Sequence, residues 1–472
     1  MIKKWMALGC ASLLAASISG CLGIGGDSGA DGKTVKKAKA KTAVEGKIKV
    51  YAEFKDSFMD DFGSILVANY PDMDLEVVGP AVGPGMDPEE LRKEANRIID
   101  EEKPDLLFGS MTFAQWVKDG RLLDLEPLIK QDKFDIESMH PAVVDTVRHM
   151  GSGKLYGLAH SFGSSALMYN KDLFDREQIP YPKDGMTWEE VIALAKRFPA
   201  NGEGENRIYG IYSNSPTPYD LIGRIGGLAG QRVTDPEGSR VTVQTEEWKR
   251  SWELVIDAYR AGTIYLAPEN DMPAPGSTLK DSQMRDKFMI GQAAMTIVQP
   301  YSLDQFASYK SSGFKSFDWE LVTEPVDGNR PGESNSFYAQ DIFAINAKAP
   351  NKQAAWEIIQ YVNSDAFTKV FTKSSSFRLL GNMSAVREKD GRSLEAFIKL
   401  KPGRTAVQAV SPDNVPAAFS ISFHSLAGGA AKAALDGSQT VGEALEELQR
   451  KGQLALDQAK LSAGATSGGG SK

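Results

Sequence analysis

The chain has 472 residues, 54 basic against 62 acidic side chains, and 42% hydrophobic residues. With 25% of its residues charged it is neither a wholly disordered nor a membrane-embedded chain, and at ~150 residues per domain its length allows about three domains. A formal charge of −8 argues against a general nucleic-acid binder, which needs a basic field. Four histidines and two cysteines leave little material for a zinc cluster.

Residues 1–20 read as an address. Lys3 and Lys4 precede an uncharged stretch from Trp5 to Ile18, too short to span a bilayer comfortably. Ser19-Gly20-Cys21 follows, and this arrangement resembles the bacterial lipobox, with Ile18 where leucine is usual. Cys21 then becomes the lipidated N-terminus, and two or three acyl chains anchor stably where one does not. The alternative is a secreted protein with a free thiol at Cys21. Cys10 lies in the segment to be cleaved, so the mature chain keeps no thiol for a disulfide. Residues 21–46 read as a flexible tether, Gly/Ser/Asp-rich and then lysine-rich without apolar period. Its lysines either face anionic headgroups or are solvated.

Lys47 to Phe54 alternates charged and apolar residues and predicts a strand. Asp56 is placed to cap a helix with Phe62, Ile65 and Leu66 on one face, stopped by Pro71. Leu75 to Val78 predicts a second strand, Pro88 to Glu102 a second helix with proline at its start, and Asp105 to Phe108 a third strand. This order indicates α/β architecture, a parallel sheet with crossover helices. Ligands bind such sheets at loops beyond the strand carboxyl ends, here Phe54 to Ser57, Gly79 to Gly85 and Gly109 to Phe113. Further on, Thr187 with Glu190 and Thr440 with Glu443 form capping boxes. Thr245 opens a helix that stops at Gly262, and Asn351 to Asn363 carries an apolar stripe. No repeat of 20–50 residues is visible, which removes solenoids and propellers. The Gly/Ser-rich tail, 462–472, predicts disorder.

Four blocks then carry a family resemblance. Ala166 to Phe174 with Pro182 and Thr187-Trp188-Glu189-Glu190 is the first, and Phe288 to Pro300 the second. Phe343 to Ser364, with Asn346, Pro350-Asn351-Lys352 and Ala355-Trp356, is the third, and Gly437 to Leu448 the fourth. In this order, behind a lipobox, they resemble the bacterial extracellular solute-binding proteins of family 1, the sugar-binding lipoproteins of ABC importers. The resemblance implies a periplasmic-binding-protein-like type II fold, two α/β lobes with interleaved chain that close on ligand by hinge bending. The lobes are expected at 47–162 with 340–377 and at 163–339 with 378–461. The crossings are expected near His160 to Ser165, Tyr338 to Ile345 and Phe377 to Asn382.

A sugar offers C–H faces and a ring of hydroxyls, so its site wants flat aromatics and planar hydrogen-bonding groups. The resemblance to maltodextrin-binding relatives points to Tyr301, directly after Gln299-Pro300, and to Tyr219 after Pro218. The relatives' third platform falls on His424, with Phe423 or Phe419 as substitutes. Trp116 is a candidate in its own right, though its place on a helix suits a core residue too. Asp341, among apolar residues at the return crossing, is costly unless it is paired or faces the cleft, and Arg224 is a candidate partner.

The implied protein is membrane-anchored on the extracytoplasmic face and monomeric. It needs no cofactor, and it hands a carbohydrate to the transmembrane subunits of an ABC importer. A surface lipoprotein that signals ligand to a membrane sensor is the alternative. An enzyme is disfavoured: there is no GxGxxG after a strand, no P-loop, no G-x-S-x-G and no His-Glu-x-x-His. Only the paired carboxylates of a glycoside hydrolase need no local signature.

Overall fold

Inward-facing Ile48, Val50 and Ala52 build strand β1 (Gly46–Ala52), the first element of a computed structural model of the chain. The structure describes residues 44–81, 88–199, 202–268, 277–311, 313–374, 377–385, 387–403 and 415–467, all part of one compact unit. The signal segment with Cys10, most of the tether with its Cys21, and most of the Gly79 to Gly85 loop lie outside the described residues.

Strands β2 (Met73–Val78) and β3 (Leu106–Phe108) both pair parallel with β1, and the crossover helix between them covers Pro88–Glu102. Strand β4 (Gly157–Gly163) is buried throughout, and only Ser164 and Ser165 separate it from β5 (Ala166–Asn170). Strands β6 (Tyr209–Tyr212), β7 (Ala293–Val298) and β8 (Trp319–Thr323) join β5 in a four-stranded sheet of order β6-β7-β5-β8. After a two-residue strand β9 (Glu333–Ser334), β10 (Tyr338–Ile345) returns to the first sheet, and β11 (Leu379–Leu380) closes its edge. That sheet has the order β11-β4-β10-β3-β1-β2. The two sheets thus exchange chain through β4–β5, ahead of β10, and beyond β11.

Each sheet is covered by helices whose apolar faces make its core. On the first, Phe58 and Phe62 meet Phe108, Phe343, Phe367 and Phe371, with Phe62 5.1 Å from Phe343 and 5.3 Å from Phe371 between ring centres. Such contacts add ~0.5–1.5 kcal/mol per pair beyond area burial. On the second, Trp248 and Trp252 of the helix Glu246–Arg260 pack with Phe419 and Phe423 of the helix Ala417–Asp436. Both anticipated capping boxes form: Thr187 Oγ1 accepts from the Glu190 N–H while Glu190 accepts from the Thr187 N–H, and Thr440 and Glu443 exchange the same bonds.

Local expectations fail in four places. Val44 is fully buried in the first core and β1 starts at Gly46, so the tether ends sooner than residue 46. Asp56 lies within the first helical turn instead of capping it, where its charge suits the positive end of the helix. β11 pairs with β4, so the first lobe reaches past residue 377 to Leu380. The last helix, Val441–Ser467, runs into the supposed tail, because Ala463 and Ala465 favour helix enough to carry it through Gly464.

Candidate functional site

Strand directions define where a ligand has room. β10 is antiparallel to both β3 and β4, so β1, β2 and β3 run the same way as β4 and end toward Ser164–Ser165. Beyond that crossing β5 runs away, β7 and β8 run antiparallel to it, and β6 runs parallel to β7. Hence β6, β7 and β8 also end at the crossing. Carboxyl ends from two sheets face one gap, the position at which open α/β sheets bind ligands.

Tyr301 follows one of those strand ends. It lies three residues beyond Val298, which pairs with Ala166 beside the crossing. Pro300 before it is buried, and Tyr301 itself is 52% exposed at the mouth of the helix Ser302–Ser311. Tyr338, 42% exposed, opens β10 opposite Gly163, the last residue of β4. The Tyr338 ring lies so close over Gly163 that a Cβ there would stand 2.1 Å from its Cζ, and only glycine admits the ring. Burial, then the Tyr301 phenol, then the Asp341 carboxylate push the Tyr338 phenol up.

A half-buried carboxylate, Asp341, and a buried one, Glu324, bracket the crossing. On the first lobe, Asp341 adopts a left-handed backbone (φ 51°) and accepts from Ser161 Oγ at 2.5 Å and Arg378 at 3.2 Å. Arg378 reaches on to Asp61 at 2.5 Å. Burial pushes the Asp341 carboxyl up, and the Arg378 guanidinium opposes this. On the second lobe, Glu324 follows β8 directly and accepts from the hydroxyls of Ser334 and Ser336. Ser336 Oγ in turn accepts from the Ser165 N–H at 2.8 Å. Burial pushes Glu324 up against the pull of the two serines and Arg224.

Further polar ties lie on each lobe. Glu53, after β1, accepts from the Thr112 N–H at 2.9 Å and its hydroxyl at 2.5 Å, and from the N–H groups of Ser110 and Met111. A Cβ at Gly109 would meet the Glu53 carboxyl at 2.4 Å, so glycine lets the loop wrap it. This tie leaves Phe54 and Met111 exposed on the first-lobe rim. On the second, His424 is exposed with Nε2 3.2 Å from Asp220, which also accepts from Ser215 Oγ.

The structure therefore sorts the anticipated residues. Tyr301 is exposed just beyond the end of β7, His424 is exposed on the helix Ala417–Asp436, and Asp341 is paired at the crossing. Trp116 is a correction: 1% exposed, it sits edge-on to Tyr51 at 5.5 Å in the first core, where its large apolar surface belongs. Tyr219, 8% exposed, is packed between Trp252, Phe423 and His424 and offers no open face. Phe423 and Phe419 are buried too; residues 423 and 424 point ~100° apart on a helix, so with His424 outward Phe423 turns in. Arg224 is exposed and faces the charge of Glu324, whereas the partner of Asp341 is Arg378. Sequence reasoning passed over Tyr338, Arg378, Asp61, Glu53 and Glu324. Only Tyr338 carried a readable signal, as an aromatic at the edge of the expected return crossing.

An interleaved pair of α/β lobes whose strand ends share one cleft is the type II periplasmic-binding-protein fold, of the MalE-like kind. The model of the family described as bacterial extracellular solute-binding protein matches residues 51–369, and the chain belongs to that family. Membership implies an extracytoplasmic place of work. A putative binding protein from Brucella abortus (strain 2308) is 22% identical over 410 residues, covering 85% of this chain and 88% of the relative. Among solved structures, a sugar transporter from Rhizobium etli in an open conformation aligns with a TM-score of 0.60 at 20% identity, over 87% of this chain and 99% of that one. The sugar-binding protein MalE from Xanthomonas citri aligns with a TM-score of 0.59 at 16% identity, over 87% and 98% of the two chains. The family and these relatives are binding proteins. Among the described residues no helix is long and apolar enough to cross a membrane, and no group of three His, Cys, Asp or Glu is placed to hold a metal ion.

Proposed function

We propose that the chain is a lipid-anchored extracellular solute-binding protein that captures a sugar or oligosaccharide between its lobes and delivers it to an ABC importer. The convergence of six strand ends on one gap, with exposed Tyr301 beside it, carries this reading. Similar structures named for sugar transport and sugar binding support the ligand class. Tyr301 supplies a stacking face, and His424 with Asp220 supplies planar groups for hydroxyls. Closure rotates one lobe on the other about Ser164–Ser165, the segment before Tyr338 and the stretch around Arg378. Cys21 carries the acyl anchor, the folded part acts as a monomer, and the transmembrane subunits of the importer are its partner.

A thermal-shift screen of the soluble chain against mono- and oligosaccharides tests the reading. A ligand at about 100 times its Kd adds ~2.7 kcal/mol to the native state, which is a clear rise in melting temperature. No rise with any sugar, alongside a rise with amino acids or peptides, would refute the ligand class.

A further inference from the structure

We propose that Tyr338 is a second stacking surface for the ligand, carried by the crossing strand itself and working with Tyr301 from the other lobe. This rests on the carbohydrate reading above and deepens it, for it adds a contact that moves with the hinge.

The geometry begins with register. Val298 pairs with Ala166 and Tyr338 with Gly163, so the ends that carry Tyr301 and Tyr338 sit on either side of the two-residue crossing Ser164–Ser165. The two tyrosines are in electrostatic reach of each other. One side of the Tyr338 ring is laid on the backbone of β4, a placement that the missing side chain of Gly163 allows. The ring remains 42% exposed, although the next residues inward, Ala339 and Ile342, are buried. A tyrosine held by a glycine notch on one side and open on the other is a preorganised flat surface. Preorganisation lowers the ordering cost of binding, and aromatic faces suit the C–H side of a pyranose ring.

Its neighbours fix it further. Asp341, on the same strand, is tied to Ser161 and Arg378, and Phe337 on the other side is stacked on Phe162 at 5.1 Å. Tyr338 thus projects from a segment pinned at both ends, exposed between them. Polar residues would serve if the position only faced water.

The experiment uses the soluble full-length fold with maltotriose, cellotriose, xylotriose and mannotriose as probes, and reads Kd by calorimetry. Tyr338→Leu keeps bulk over Gly163 but removes the aromatic face. Gly163→Ala pushes the ring off its seat while leaving the tyrosine in place. For whichever probe binds the wild type, Tyr338→Leu and Tyr301→Leu should each weaken binding roughly three- to tenfold, with the ligand-free melting temperature of Tyr338→Leu little changed. Gly163→Ala should weaken binding in the wild type but add little on top of Tyr338→Leu, since both remove the same surface. If Tyr301→Leu weakens binding and Tyr338→Leu does not, the second surface is refuted and the carbohydrate reading stands. If no probe and no other sugar binds the wild type, the carbohydrate reading falls and the proposal with it.

Discussion

His160 gives the sharpest stability test, because its burial is complete and its charge has nowhere to go. It sits mid-β4 among Phe62, Phe367 and Phe371, with ring centres 5.2, 5.2 and 4.6 Å away. Nδ1 lies 2.7 Å from the Val362 carbonyl, the distance of a donated N–H, while Nε2 has no partner among the described residues. Burial pulls its pKa down to about 3, helped by the Arg378 charge and opposed by the Val362 bond. The unfolded imidazole titrates near ~6.5. As pH falls below that value the unfolded chain takes up a proton that the native chain refuses, so stability is lost as pH falls from about 6.5 toward about 3. At pH 5 this costs ~2 kcal/mol, from ~1.4 kcal/mol per unit over about 1.5 units. Asp286, pushed up to about 6 by burial, and the raised Asp341 and Glu324 act in the opposite sense, taking up protons in the native state as pH falls. Comparison with His160→Asn cancels them, since Asn places an amide donor near the Nδ1 position without a titrating group. Urea unfolding at pH 7 and pH 5 should show the wild type losing about 2 kcal/mol more than the variant over that interval. Parallel losses in the two proteins would refute the account of His160 as a buried neutral group.

Trp116→Ala should destabilise the fold by ~3–5 kcal/mol, read by chemical unfolding, because it empties the core beneath Tyr51; ligand affinity of the surviving folded protein should not change. Cys21→Ala should abolish acyl labelling and release the protein from membranes, and membrane retention without any label in the wild type would overturn the anchor. Saturating ligand should shrink the radius of gyration in small-angle scattering, and an unchanged radius in a sample shown to bind would count against hinge closure.

How far the sequence carried this reading differs from element to element. The first β-α-β-α-β run was legible because its apolar periods are clean and Pro71, Pro88 and Pro104 punctuate them. Both capping boxes were readable from four residues each. The interleaving of the lobes was not, since nothing local says that β10 leaves the second sheet for the first; it came from the resemblance. Among the aromatics, Tyr301 was legible because it follows a strand and a proline directly. Tyr219, Phe423 and Trp116 failed for one reason. Aromatic side chains have the same composition signal in a core and in a cleft, and the difference is made by partners such as Trp252 that lie elsewhere in the chain. The polar brackets were hidden more deeply still: Arg378 and Asp61 are 317 residues apart, and no spacing rule joins them.

Those brackets bear on how closure is confined. A buried carboxylate is tolerated only where donors satisfy it, so Asp341 with Ser161 and Arg378, and Glu324 with Ser334 and Ser336, hold the backbone on either side of the crossing to one arrangement. Breaking either set would leave a largely desolvated carboxylate without its donors, which costs more than turning the backbone torsions between the sets. Between the sets lie Ser164 and Ser165, neither β-branched nor aromatic, with few rotamers to disturb. In the proposed motion the rotation therefore falls on Ser164, ahead of the Ser165 N–H that Ser336 holds, and on the segment before Tyr338. Tyr301 and Tyr338 stand on opposite sides of that short axis, so a small change in angle there alters the gap between the rings directly.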